Sequence, residues 1–360
     1  MDKKINLLGL NKDSLRIYFS EIGENAFRAN QLIKWIYQHG VTDFSNMTNL
    51  SLALRNELSD VAQINYPKIV SEQTSHDGTR KWLLAVDEQN HIETVFIPEK
   101  DRGTLCISSQ VGCPLRCSFC ATGKQGFNRN LSSAEIIGQL FVACQALGIY
   151  QHKQHLISNI VMMGMGEPLL NFQNVMAAIN LMMDDHAFGI SRKRITLSTA
   201  GLVPGIYKLA ETSDVNLAIS LHATNDELRN ELVPINKTFP LEKLLAACKH
   251  YANVRPNRVI TFEYVMLDGI NDSEEEAHLL IQLLKGIPAK INIIPFNDFP
   301  ASTYQCSNTI KIDKFRDVLI RAGLITVTRK TRGEDIDAAC GQLIGNFIPY
   351  KLDQIASVKL

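Results

Sequence analysis

The chain has 360 residues, 45% hydrophobic and 21% charged, which is enough to bury one large core with a smaller domain beside it and excludes a disordered protein. Its 37 basic residues balance 37 acidic ones, so no global field draws it to a polyanion or a membrane, and any such site is a local patch. No apolar run approaches the roughly 18 residues of a membrane span. The run from Ile5 to Leu10 is short, is broken by Asn6 and leads into Asn11, Lys12 and Asp13, unlike the apolar stretch of a secretory signal. From Lys12 to about Ala62, apolar residues recur at helical spacing: Leu15, Tyr18 and Phe19, then Leu32, Ile33, Trp35, Ile36 and Tyr37, then Leu52, Leu54 and Leu58. This predicts a small helical domain over 1–65, with Asp13 and Ser51 as N-caps and Gly40 ending the second helix. Two strands, 80–86 and 92–97, joined by a polar turn at 87–90, predict a β-hairpin extension within 66–99.

From about Lys100 the pattern changes to short β-branched runs alternating with amphipathic segments, the signature of parallel βα units. Strands are expected at 104–108, 159–163, 194–198, 215–220, 259–266 and 290–295, and helices at 133–146, 241–252, 273–284 and 313–322 among others. Six strands fall short of the eight that close a complete barrel, so the fold class is α/β, a partial (β/α)6 barrel over 100–345 followed by a tail over 346–360. Chemistry in such folds gathers at the C-terminal strand ends, and there the unusual residues of this sequence lie.

The segment GCPLRCSFCATG places Cys113, Cys117 and Cys120 as C-x3-C-x2-C just after the first barrel strand. With eight cysteines in all and three of them this close, metal chemistry in a reducing compartment, hence the cytoplasm, is expected. Three thiolates on a [4Fe-4S] cluster leave one iron open to a substrate atom. The same spacing leaves a zinc site open, with His222 or a distant cysteine as fourth ligand. One strand later comes MMGMGEP, Met162 to Pro168, whose glycines allow close backbone approach and whose Glu167 offers a carboxylate to an ammonium group. Together the two segments resemble those of the radical S-adenosylmethionine (SAM) enzymes, in which the open iron chelates SAM and injects the electron that breaks a carbon–sulfur bond.

Residues 104–130 and the stretch KTRGEDIDAACGQL from Lys330 resemble more narrowly the radical SAM RNA adenine C2 methyltransferases. Adenine C2 lies between two ring nitrogens and is not nucleophilic, so a methyl cannot reach it by simple displacement. The resemblance implies two SAM molecules per turnover. Cys340 takes a methyl from one and becomes S-methylcysteine; a 5′-deoxyadenosyl radical from the other removes a hydrogen, and the carbon radical adds to C2. It implies that Glu93, in HIETVFIPE, takes the C2 proton, and that Cys106, in TLCISSQ, attacks the Cys340 sulfur, forming a transient disulfide and freeing the base. By spacing alone Glu93 is a solvated strand residue and Cys340 a packing cysteine. The same resemblance makes Gly166, Glu167, Ser198, Ser220, Leu221, His222 and Asn297 SAM contacts. It implies 23S rRNA and tRNA beside the anticodon as substrates, a one-electron reductant such as flavodoxin or ferredoxin, and a monomer. A relative that methylates C8 of the same rRNA adenine is the nearest alternative, and a non-enzymatic metal-dependent RNA-binding module is one of another class.

For RNA, the basic residues from Lys311 to Arg332, ending in Arg329, Lys330 and Arg332, and the run Arg192, Lys193 and Arg194 are expected to meet phosphates. By the same resemblance the helical domain, with Arg28, Lys34, Trp35 and Tyr37, is expected to grip folded RNA by shape, although Trp35 and Tyr37 read as core residues before RNA contacts. Cys144, Cys248 and Cys306 are read as packing or incidental thiols.

Overall fold

The computed structural model describes residues 4–348, except 101, 153, 255–257 and 301; of the expected tail only 346–348 falls among them. Near the N-terminus three helices, α1 (Lys12–Glu21), α2 (Arg28–Tyr37) and α3 (Leu52–Val61), bury the stripes read from the spacing: Leu15 and Phe19, Leu32, Ile33 and Ile36, and Leu54 and Leu58. Asn11 rather than Asp13 caps α1, its side chain accepting from the Ser14 amide at 2.9 Å, because Asp13 already lies inside the first turn. There its charge complements the helix dipole. Ser51 caps α3, accepting from the Leu54 amide. Gly40 follows α2 at φ +67°, and a Cβ there would strike the ring of Tyr150. Tyr37 is core; Trp35 is only half-buried and donates to Asn49.

A ten-stranded sheet makes up the rest of the frame among the described residues. Its strands are β1 (Lys68–Thr74), β2 (Arg80–Ala85), β3 (His91–Pro98), β4 (Gly103–Cys106), β5 (Asn159–Met162), β6 (Ile195–Thr199), β7 (Asn216–Ser220), β8 (Ile260–Met266), β9 (Ala289–Pro295) and β10 (Ile325–Thr328). Spatial order follows chain order from one edge to the other. The pairs β1–β2, β2–β3 and β3–β4 are antiparallel, and β4 to β10 run parallel. Among the described residues, six helices of ten residues or more separate the parallel strands: α4 (Ser133–Ala146), α5 (Phe172–Met183), α6 (Val203–Thr212), α7 (Leu241–Val254), α8 (Glu274–Leu283) and α9 (Thr309–Arg321). The result is the expected partial barrel of six βα units, ended by a seventh parallel strand.

Two details differ from the sequence reading. The hairpin is no appendage: a third strand, β1, extends it, and β3 pairs with β4, so it continues the barrel sheet. All seven residues of β1 are exposed, so no alternation of burial marked it. Likewise β10 is an edge strand with Ile325 and Val327 half or more exposed, β-branched but without a buried face. Inner strands read clearly because both faces are covered, as in Leu217, Ala218 and Ile219 of β7. No helix among the described residues is long and apolar enough to cross a membrane.

Candidate active site

Parallel strands bring their C-terminal ends to one mouth, and a cavity opens there. Past β4, Gly112 takes φ +76°, where a Cβ would meet the Gly126 carbonyl oxygen, and the cluster loop begins. The Cys113 amide donates to Gly126 (2.7 Å), that of Ser118 to Leu232 (3.1 Å) and that of Cys120 to Cys117 (3.2 Å), while Arg116 bends the loop at φ +56°. Cys113, Cys117 and Cys120 thus line one wall of the cavity. Burial pushes all three thiols up, with Cys117 and Cys120 adding to the rise of Cys113 and Cys120 to that of Cys117. Bound metal reverses that by taking the thiolate form. A single ion needs its donors around one centre, and among the described residues no three His, Cys, Asp or Glu side chains converge that way. A cubane asks for three thiols on three irons facing one space, which this wall provides.

The Gly-Glu turn after β5 lines the same cavity. Gly166 has φ +97° and its missing Cβ would sit 2.5 Å from that of Gln110. Glu167, buried, accepts from the amides of Ala200 (2.8 Å) and Leu169 (3.1 Å); burial, offset by those bonds, pushes its carboxyl up to about 7. Ser198, Ser220, His222 and Asn297 join Gly166 and Glu167 in the cavity wall. Leu221 does not: its side chain is fully buried, and its carbonyl accepts from Arg229. His222, at φ +62°, accepts at Nδ1 from the Val265 amide (3.0 Å) and meets Phe119 edge-on at 4.5 Å. Burial, helped by Arg229, lowers its pKa to about 3, so the ring is neutral and its other nitrogen carries the hydrogen.

The segment after β10 adds Cys340 and Gly341 to the cavity wall. Asn297 donates to the Cys340 carbonyl (3.1 Å), Ala121 donates its amide to Gly341 (2.7 Å), and Thr122 donates to Leu343 (2.6 Å). Cys340 lines this cavity and a second one behind it; Cys106 lines only the second, and the cluster cysteines only the first. All eight cysteines are free thiols, so the linkage expected between Cys106 and Cys340 is absent from this structure. Burial, with Cys340 adding to it, pushes Cys106 up to about 12. Glu93 is not the solvated residue that spacing suggests, and it lines neither cavity. One of its oxygens pairs with Lys81 (3.1 Å), the other accepts from the Ile344 amide (2.8 Å), and burial raises its pKa against the pull of Lys81.

Several residues of the site carry no signal in the sequence. Arg229 is fully buried and donates to the carbonyls of Ala200, Ser220 and Leu221 and to Asn236, tying the ends of β6 and β7 together. Asn271 likewise binds the carbonyls of His222 and Val265. Glu263 in β8 lines the first cavity; a lone carboxylate in an apolar, β-branched strand was the one available hint. The basic runs are also redistributed: Arg329 lines the second cavity, Arg332 pairs with Asp77 and Arg192 with Asp214, leaving Lys330 and Lys193 exposed.

A partial (β/α)6 barrel with three thiols on the loop after its first parallel strand and a Gly-Glu turn after the next defines a radical SAM enzyme. A model of the radical SAM superfamily matches residues 107–281, and one described as the ribosomal RNA large subunit methyltransferase N-terminal domain matches residues 5–64. A crystal structure of a radical SAM methyltransferase from Sphaerobacter thermophilus is similar over 94% of this chain and 99% of its own, at 40% identity and TM-score 0.88. The chain belongs to the radical SAM methyltransferases of the RlmN type. Weaker likenesses include a domain of pyruvate-formate lyase-activating enzyme from Bacteroides vulgatus (18% identity, 48% of this chain, 99% of that one, TM-score 0.36). Another is SuiB from Streptococcus suis bound to S-adenosylmethionine (14%, 63%, 47%, 0.44). Family membership brings with it a [4Fe-4S] cluster and SAM, which removes the zinc reading of the triplet.

Proposed function

We propose that the enzyme methylates C2 of an adenosine in 23S rRNA and in tRNA beside the anticodon, using Cys340 as methyl carrier and Cys106 as the thiol that resolves the protein–RNA adduct. One observation carries the reading: among the described residues Cys340 is the thiol that lines both cavities, the first together with Cys113, Cys117 and Cys120 and the second together with Cys106. A carrier needs that position, facing the methyl donor and then the acceptor.

Cys113, Cys117 and Cys120 would hold the cluster, which would supply the electron for reductive cleavage of SAM. Gly166 and Glu167 offer backbone and carboxylate to the SAM ammonium group; Ser198, Ser220, His222 and Asn297 complete the wall around it. Cys340 Sγ accepts a methyl by displacement and later carries it to the ring carbon. Glu93, ionised against Lys81, is the base for the C2 proton once the Ile344 amide releases it, so RNA entry has to shift the segment 340–345. Cys106 then closes on Cys340 and frees the base. The N-terminal helices and the exposed Lys330 and Lys193 supply contacts to folded RNA.

The test is Cys106→Ala turned over without oxygen, with SAM, reductant and RNA. The variant is expected to migrate as a covalent protein–RNA species, and migration only as free protein overturns the reading. Mass spectrometry of nucleosides from wild-type reactions should give 2-methyladenosine. A product methylated at C8 would replace the C2 assignment with the C8 one.

A further inference from the structure

Lys81 in β2 and Glu93 in β3 are buried charges on the sheet face that carries Cys106. Residues opposite one another on antiparallel strands share a face, and the register sets Lys81, Val95 and Cys106 in one row across three strands, with Leu83 and Glu93 in the next. Lys81 Nζ donates to one carboxylate oxygen of Glu93 at 3.1 Å and to the Asp337 carbonyl at 3.3 Å. The other Glu93 oxygen accepts from the Ile344 amide at 2.8 Å. The pair therefore holds the segment 337–344 at both ends, with Cys340 between them. Asp337 sits at φ +51°, a left-handed conformation that has to be held, and its carbonyl is the one Lys81 binds. Just upstream the β1–β2 turn takes over: Asp77 accepts from the Gly333 amide and Asp335 from the His76 amide, each at 3.2 Å. Burying an ion pair adds little to stability, because desolvation offsets the attraction, and apolar side chains would pack this face as well. What the pair adds is direction.

We propose that Lys81 is a positioning residue for the proton-removal step: it fixes the Glu93 carboxylate to the carrier segment, so that base and methyl carrier reach the same ring together. This rests on the reading of Glu93 as the base and Cys340 as the carrier. When the Ile344 amide leaves, Lys81 keeps its hold on one carboxylate oxygen and so fixes the place of the other. The proton passes from C2 to that freed oxygen, and the carbon–hydrogen bonding pair stays with the ring. Lys81 acts through Glu93 and the Asp337 backbone and takes no proton itself.

The experiment follows cluster-loaded enzyme, without oxygen and with SAM and reductant, on an RNA hairpin whose target adenosine carries protium or deuterium at C2. Lys81→Met is expected to slow formation of the methylated base about tenfold, and to raise the protium-to-deuterium rate ratio above that of wild type because proton removal becomes limiting. Methylation of Cys340, read by intact mass, precedes proton removal and should fall far less. A merely structural role would slow both steps together and leave the ratio at its wild-type value. The ratio is taken within one preparation, so partial loss of cluster or of folded protein does not move it, and Lys81→Gln gives a second neutral reading. Ratios equal to wild type in both variants overturn the proposal. Glu93→Gln separates the two ways of failing. If it raises the ratio while both Lys81 variants match wild type, the positioning role falls alone; if it is as fast as wild type, the base reading falls and the proposal with it.

Discussion

Arg229→Met removes the buried cation that ties two strand ends beneath the wall of the first cavity, the proposed SAM site. The guanidinium makes four hydrogen bonds of 2.7–3.0 Å, to the carbonyls of Leu221, Ala200 and Ser220 and to Asn236 Oδ1. Each bond from a charged donor is worth about 1.5–3 kcal/mol, but relieving the burial of the charge, which lowers its pKa to about 10, returns part of that sum. The net expectation is a loss of about 3–5 kcal/mol, because four buried acceptors are left without a donor. Urea unfolding of the enzyme without oxygen should show the midpoint falling by about 1 M or more. SAM affinity should fall as well, since Ala200 and Ser220 line its cavity. Arg229→Lys keeps the charge with three donors in place of a fork and should lie between the two. A loss below about 1 kcal/mol with SAM affinity intact would refute the argument, since it would mean those carbonyls do not depend on the guanidinium.

The pH dependence of stability should hide two opposed slopes. His222, lowered to about 3, costs stability as pH falls below 6.5, about 1.4 kcal/mol per unit, because the unfolded chain binds the proton more tightly. Glu167, raised to about 7, does the reverse between 7 and 4.5, so SAM-free wild type should be nearly level from 6.5 to 4.5. His222→Asn should gain stability on acidification and Glu167→Gln should lose it; parallel curves for all three proteins in urea titrations would contradict the assignment. Gly166→Ala forces a side chain into φ +97° and against Gln110, and should cost about 2 kcal/mol or more and abolish SAM binding, checked by melting and by equilibrium binding. Ser132→Ala breaks the capping box that Ser132 forms with Glu135 at the start of α4, and about 1 kcal/mol should disappear from the unfolding free energy without change in SAM affinity.

The alternation of strands and helices, the C-x3-C-x2-C triplet and the Gly-Glu turn are legible in the chain's local pattern, and the family resemblance is what singles out Cys340. The reason is that inner strands and amphipathic helices carry their burial as a local period, and that the three cysteines fall within eight positions of one another. Only the tertiary structure decided that β1 and β10 extend the sheet, since edge strands with exposed faces leave no such period. It also decided contacts between residues far apart in the chain: Arg329, Cys106 and Cys340 lining one cavity, Glu93 locked between Lys81 and Ile344, Arg229 under two strand ends, and Cys340 in the wall of two cavities. Periodicity reports which side of an element faces inward. What it faces there is set by the folding of the whole chain, which brings Cys106 and Cys340 to one cavity across more than two hundred residues.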